Sequence, residues 1–210
     1  LKKNDSIYKE LERRIIELTM KPGEIINEKE LAQEFDVSRT PVREALLKLA
    51  EKELVEIIPR KGTYVSQIDI KKIKNTYEIK MYLEALAASL AAERATDEEV
   101  EEMLKVIEEL KKLNPKKDYK KYIELDQLFH KLTRDASRNS MLIEYLENLN
   151  IITERFLQYI QYVVSDSTWY IESVILIAQA IKDRDSKKAS KEAEEHVVYF
   201  LKELSQRFFM

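Results

Sequence analysis

The stretch that most constrains what this chain can fold into is Val37-Ser38-Arg39-Thr40-Pro41-Val42-Arg43-Glu44-Ala45-Leu46-Leu47-Lys48-Leu49. A hydroxyl at Ser38 or Thr40 can cap a helix whose first turn carries Pro41, and a proline loses nothing there because a first-turn N–H has no partner inside the helix. Val42, Ala45, Leu46 and Leu49 recur at steps of three and four. They therefore share one apolar face and leave Arg39, Arg43 and Lys48 to point elsewhere. Arginines on the opening turn of a capped helix suit phosphate oxygens and guanine edges, and the spacing does not separate the two.

The flanking residues give this helix a setting. Ile7, Leu11, Ile15 and Leu18 predict a first helix over about residues 6–20, ended by Pro22-Gly23. Ile25 and Ile26 read as a short extended piece, and Asn27 as the cap of a second helix through Leu31, Ala32 and Phe35. Asp36 sits at a tight joint before Ser38, so two short helices meet with a basic second member. After Leu54 come Val55-Glu56-Ile57-Ile58 and Thr63-Tyr64-Val65-Ser66, β-favouring runs around Pro59-Arg60-Lys61-Gly62. They predict a hairpin with a basic tip, completing a winged helix-turn-helix.

From Asp69 onward only helical periodicity remains. A long helix to about Arg94 leads to Thr96-Asp97-Glu98-Glu99, the pattern of a capping box. The next helix stops at Asn114-Pro115; others are expected over about 119–136, from a cap near Asn139, over about 167–182 and over about 186–208. Six antiparallel helices with short links make a bundle. The expected fold is therefore mostly α, with a winged helix-turn-helix domain over residues 1–68 and an all-helical domain over 69–210.

Charge agrees with this division. The chain has 210 residues and a net charge of −3, too acidic for a uniformly basic nucleic-acid coat. Residues 1–74 hold 16 Lys+Arg against 14 Asp+Glu, net +2, and the remainder 20 against 25, net −5. There is no cysteine, which excludes disulfides, thiolate metal sites and cysteine nucleophiles. No apolar run approaches the ~20 residues of a membrane-spanning helix, and nothing reads as a signal peptide, so a cytoplasmic location is expected. No Gly-rich phosphate cradle is present. The scarcity of glycine (two residues) and the 36% charged residues also fit a heat-adapted chain.

The run Glu30-Leu31-Ala32, the stretch Val37 to Leu46, Leu49, Leu54-Val55 and Pro59-Arg60-Lys61-Gly62 strongly resembles the DNA-reading domain of the GntR family of bacterial transcription regulators. The resemblance implies contact with double-stranded operator DNA through Lys29, Ser38, Arg39, Thr40 and Arg43, and through the wing residues Arg60, Lys61 and Gly62. Asp36 and Glu53 depart from the family pattern, standing where glycine is common.

In the second half, Asp126 and His130 lie one helical turn apart and could grip one metal ion, while His196 beside Ala193, Val197 and Phe200 should face the interior. The alternative is structural: His130 paired with Asp126 at a rim, and His196 a satisfied core histidine. The run from Asp126 to Leu142, with Ala180-Ile181, Asp185, Ala189 and Glu195-His196, resembles the all-helical effector (FCD) domain of the FadR-like GntR branch. That resemblance implies a divalent metal, zinc or nickel, held by Asp126, His130 and His196, with a small carboxylate effector nearby. Val174 stands where a fourth, histidine ligand is expected, so weaker metal affinity follows. Lys80 replaces an arginine and could attract the carboxylate without a bidentate fork.

The function these features imply is a homodimeric, metabolite-responsive repressor acting on a palindromic operator. Two other classes compete with it: an architectural DNA binder with no effector, and a metal-dependent hydrolase. Against the hydrolase, no base stands at motif spacing beside the candidate ligands.

Overall fold

The computed structural model describes residues 3–114, 117–160 and 168–208. Its elements are α1 (Lys3–Ile16), β1 (Ile25–Ile26), α2 (Glu28–Glu34), α3 (Arg39–Glu51), β2 (Val55–Ile58), β3 (Gly62–Val65), α4 (Ile70–Arg94), α5 (Asp97–Leu110), α6 (Tyr119–Ala136), α7 (Ser140–Ile160), α8 (Thr168–Lys182) and α9 (Ser186–Phe208). The Cα positions group into two compact units, Leu1–Asp69 with Ile151–Gln161, and Ile70–Asn150 with Tyr162–Met210.

In the first unit α1 packs on α3. Ile7, Leu11 and Ile15 meet Val42, Leu46 and Leu49, all six nearly or fully excluded from water. At ~1.5–3 kcal/mol per buried aliphatic side chain, this helix pair supplies much of the unit's stability. The expected extension of α1 to residue 20 does not form. Leu18 adopts φ 59°, a left-handed conformation that stops the helix, and Met20 is the residue that fills the core beyond it. Asn27 caps α2, its Oδ1 accepting from the backbone N–H groups of Lys29 (3.0 Å) and Glu30 (3.4 Å). Ser38 occupies the N-cap of α3 with an extended backbone, and its side chain makes no capping hydrogen bond.

The three strands form an antiparallel sheet in the order β1-β3-β2, with Val55 opposite Val65 and Ile58 opposite Gly62. Thr63 and Val65 point inward, as the two-residue strand period requires. Arg60 (φ 64°) and Gly62 (φ 134°) turn the chain between β2 and β3, and the value at Gly62 is one that side chains rarely allow. Arg155, at the far end of α7, is buried in this unit and donates to the carbonyl of Ser66.

The second unit is the expected all-helical bundle. Its centre is α4, which packs against α9, α6 and α8, while α5 bridges α6 and α8. Ala87, Ala88, Ala91 and Ala92 are fully buried on α4 and let neighbouring helices approach closely. The capping box before α5 forms as read: Glu99 N–H donates to Thr96 Oγ1 (3.3 Å), and Thr96 N–H to Glu99 Oε2 (2.9 Å). Asn139 caps α7 through Leu142 N–H at 3.2 Å. Pro115 and Ser167, expected as a helix stop and a helix start, lie outside the described residues.

Among the described residues, six other than glycine take left-handed conformations: Leu18, Asp36, Glu53, Arg60, Arg138 and Arg184. Asp36 and Glu53 are the two positions where the sequence departs from glycine, and both follow helix ends. Arg138 and Arg184 follow the ends of α6 and α8. Arg138 reaches both carboxylate oxygens of Glu99 at 2.8 Å, and Arg184 donates to Asp97 at 2.8 Å and to the carbonyl of Ala95.

Candidate functional site

Two clusters carry chemistry, one in each unit. The first is the exposed side of the α2–α3 pair and the hairpin tip. Burial of Val42, Ala45, Leu46 and Leu49 against α1 fixes the rotation of α3, so Ser38, Arg39, Thr40 and Arg43 face solvent. Lys29 is exposed on α2, and a shallow open recess of about 500 Å³ between the helices is lined by Lys29, Gln33, Asp36, Ser38 and Arg39. Arg39 keeps 69% of its side chain exposed, and its Nη2 lies 3.3 Å from Glu28 Oε2. Glu28 is thus a participant that the basic-residue pattern did not reveal. Lys48, by contrast, leans toward α1, with Nζ 3.6 Å from Asp5. Arg60, Lys61 and Gly62 are exposed at the hairpin tip, where Tyr64 donates its hydroxyl hydrogen to the carbonyl of Lys61 at 3.2 Å.

The second cluster lies inside the helical unit. Lys80, Glu84, Asp126 and Arg134 are all buried, on α4 and α6. Glu84 Oε1 lies 3.6 Å from Lys80 Nζ and 3.6 Å from Arg134 Nη1. Lys80 also donates to Asn150 Oδ1 on α7. Glu84 Oε1 and Arg134 Nη1 are shielded from water and make no hydrogen bond among the described residues. Burial lowers the pKa of Lys80, with the nearby Glu84 carboxylate pulling the other way.

The histidines stand beside this charge set. Asp126 Oδ1 is 3.7 Å from His130 Nε2, and the His130 and His196 rings are 5.4 Å apart. Ser173 Oγ meets His196 Nδ1 at 2.7 Å. Although 17% of the His130 side chain reaches the surface, its ring is enclosed enough that desolvation, reinforced by the Lys80 and Arg134 charges, holds its pKa well below the usual imidazole value. Burial, with His130 beside it, brings His196 down to about 3. Both rings are therefore neutral at pH 7. A cavity of about 10 Å³, enough for roughly one water molecule, opens among Glu84, Phe129, His130, Thr133, Ile177 and His196.

The candidate metal ligands Asp126, His130 and His196 are neighbours, the first two by their spacing on α6 and His196 by the packing of α9 beside them. The donor set nevertheless suits a divalent ion poorly. Val174 is completely buried in the apolar core and offers no lone pair. Lys80 and Arg134 already bring two positive charges to the adjoining Glu84 carboxylate, beside the place a cation would occupy. Among the described residues, no group of three or more His, Asp or Glu side chains is arranged to hold a metal ion. Sequence reasoning found Lys80 and the histidines but missed Glu84, Arg134, Asn150 and Ser173. The available signal was that Lys80 and Glu84 continue the buried stripe of Ile73, Tyr77, Ala88 and Ala91 on α4.

A winged helix-turn-helix with a basic exposed helix start, joined in one chain to a helical bundle with a buried charge cluster, defines a class: DNA-binding regulators carrying a sensor domain. The chain belongs to the gntR family of bacterial regulatory proteins and carries an FCD domain: residues 3–65 match the former and 75–198 the latter. It is similar to the HTH-type transcriptional repressor RspR of Escherichia coli K12, with 29% identity over 92% of this chain and 85% of that protein. It is also similar to the gluconate operon transcriptional repressor of Bacillus subtilis 168, with 30% identity over 84% of this chain and 74% of that one. Among solved structures, Escherichia coli McbR/YncC shares the fold with a TM-score of 0.84 at 24% identity, each chain covered to 99%. These matches are transcription regulators and not enzymes, which removes the hydrolase from consideration. No helix among the described residues is long and apolar enough to cross a membrane.

Proposed function

We propose that this regulator is a repressor that binds a palindromic operator as a homodimer and changes its DNA affinity when a small carboxylate enters the helical domain. The observation that carries the DNA half is the orientation of α3. Its apolar face is locked against α1, while Ser38, Arg39, Thr40 and Arg43 lead into solvent beside Lys29 and the Arg60-Lys61-Gly62 tip. A helix start of this kind enters the major groove, and a basic wing follows the neighbouring backbone.

Dimerisation is supported by an apolar stripe on α4. Ile79, Tyr82 and Leu86 are 53%, 62% and 43% exposed at helical spacing, more apolar surface than a solvated helix normally shows. A twofold-related pair would present two reading helices to two half-sites. Two relatives are named as repressors, one of them of the gluconate operon, and gluconate is itself a carboxylate. On the sensor side, Lys80 and Arg134 are cations of the kind that receive such a group.

The test begins with selection of operator sequences from a random pool by the purified chain, followed by binding titrations at several salt concentrations. Arg43→Ala should weaken selected-operator binding by ~1–3 kcal/mol, whereas Lys61→Ala should weaken all sequences alike and reduce the salt slope by about 1. Unchanged operator affinity in the Arg43 variant would overturn the DNA-reading assignment. The competing proposal, a DNA binder with no effector, draws on the small size of the cavity. It would gain if no metabolite in a broad panel altered either thermal stability or operator affinity.

A further inference from the structure

We infer that the sensor cluster works without a divalent metal, and that Lys80 with Arg134 supplies the positive charge that would otherwise come from the ion. This rests on the helical domain being the ligand-binding half of the regulator, and it concerns which residues of this chain receive the ligand.

Four observations on the cluster converge. The position that would complete a four-ligand shell is Val174, fully buried among apolar neighbours. His196 Nδ1 already meets Ser173 Oγ at 2.7 Å, so that nitrogen needs no ion to satisfy it. The charges balance as they stand. The buried cations Lys80 and Arg134 are opposed by the buried carboxylates of Glu84 and Asp126, two charges of each sign. A divalent ion would raise that sum to two positive charges in surroundings where each uncompensated charge is costly.

The fourth observation shows where a ligand would act. Glu84 Oε1 sits 3.6 Å from both cations, too far for a hydrogen bond, and both it and Arg134 Nη1 lack a hydrogen-bond partner among the described residues. The carboxylate of Glu84 therefore occupies the place between two donors without using either fully. An incoming carboxylate that reached Lys80 and Arg134 at hydrogen-bond distance would satisfy the guanidinium edge that Glu84 leaves open. The 10 Å³ cavity bounded by Glu84, His130 and His196 is not lined by Lys80 or Arg134, so it must widen past Glu84 before a carboxylate lodged there reaches either cation.

Zinc alone provides the first test. The untagged full-length chain is equilibrated with zinc, freed of unbound metal and measured by elemental analysis, with thermal unfolding followed in zinc and in EDTA. The expectation is retention below about 0.1 zinc per protomer and the same Tm in both buffers. Near-stoichiometric zinc that disappears in His130→Ala would overturn the inference. A Lys80→Met/Val174→His variant, which removes one cation and restores a fourth donor, should gain zinc; Val174→His alone serves if the double variant does not fold. The second test uses malonate and citrate as probes in EDTA: a rise in Tm that is lost in Lys80→Met supports the inference, and a rise that requires zinc overturns it. Operator release is read separately, so carboxylate binding without any change in DNA affinity would count against the proposed regulation while leaving the metal-free site standing.

Discussion

Replacing Glu84 by glutamine tests the energetics of the buried charge set directly. Glu84 is 3% exposed, Arg134 5% and Lys80 9%, and the two cations share its Oε1 at 3.6 Å each. Glutamine keeps the volume and the hydrogen-bonding atoms but removes the carboxylate charge that both cations approach, leaving Asp126 to oppose them. Removing one partner of a buried ion pair costs ~3–5 kcal/mol, because the remaining charge stays desolvated and unopposed. Here two cations are left against Asp126 alone, and Lys80 can relieve the excess by losing its proton, since burial already lowers its pKa. The expected destabilisation at pH 7 is therefore about 3–5 kcal/mol rather than twice that. It should shrink as pH rises toward 9, where the variant's Lys80 sheds its proton more readily. The assay is urea unfolding by circular dichroism at fixed protomer concentration, with wild type and variant compared at pH 7 and pH 9. A Lys80→Met/Glu84→Leu/Arg134→Met variant should recover most of the loss, since apolar replacements of a buried ion cluster are often neutral or better. A cost below about 1 kcal/mol for Glu84→Gln, the range of an exposed pair, would refute the view that these charges are buried and mutually dependent.

Three further sets of substitutions probe the backbone, His196 and the α4 surface. Glu53→Gly should stabilise the first unit by about 0.5–1 kcal/mol in thermal unfolding, because φ 56° strains a glutamate; Asp36→Gly should gain less, since aspartate tolerates the left-handed region better. His196 is held neutral down to about pH 3 in the folded state but takes a proton near pH 6.5 when unfolded, so its stabilisation is complete above pH 6.5 and declines below it. His196→Gln should flatten the loss of stability between pH 6.5 and 4 by up to about 1.4 kcal/mol per pH unit relative to wild type, and parallel curves would contradict the burial argument. Tyr82→Glu/Leu86→Glu places charges on the apolar α4 stripe and should convert the proposed dimer to a monomer in sedimentation experiments without unfolding it, since both side chains are exposed.

Most of the fold was legible because apolar spacing and caps act locally. Val42, Ala45, Leu46 and Leu49 announce the buried face of α3, and Thr96 with Glu99 announces the start of α5, from a few adjacent residues each. The stop of α1 was not legible, because Leu18 fits the helical period and only its backbone conformation ends the helix. The grouping of residues 151–161 with the first unit was equally hidden, since α7 runs unbroken from Ser140 to Ile160 and its periodicity does not record which neighbours each turn meets. In the sensor cluster, Asp126 and His130 were readable as a pair one turn apart. Glu84, Arg134, Asn150 and Ser173 were not, because they come from four helices and are brought together only by packing.

The left-handed arginines after α6 and α8 have a mechanical consequence. At such helix ends glycine is the conformationally cheapest residue, yet it can only stop a helix; an arginine there also reaches outward. Arg138 and Arg184 both grasp the opening turn of α5, through Glu99 and Asp97, and Arg94 adds a 2.7 Å hydrogen bond to the carbonyl of Ser137. The ends of α4, α6 and α8 and the start of α5 are thereby riveted at a single corner. Glycine at 138 or 184 would relax the local backbone but leave that corner unfastened. In a sensor whose opposite duty is to yield to a ligand, such a corner would act as the fixed pivot against which the remaining helices can move.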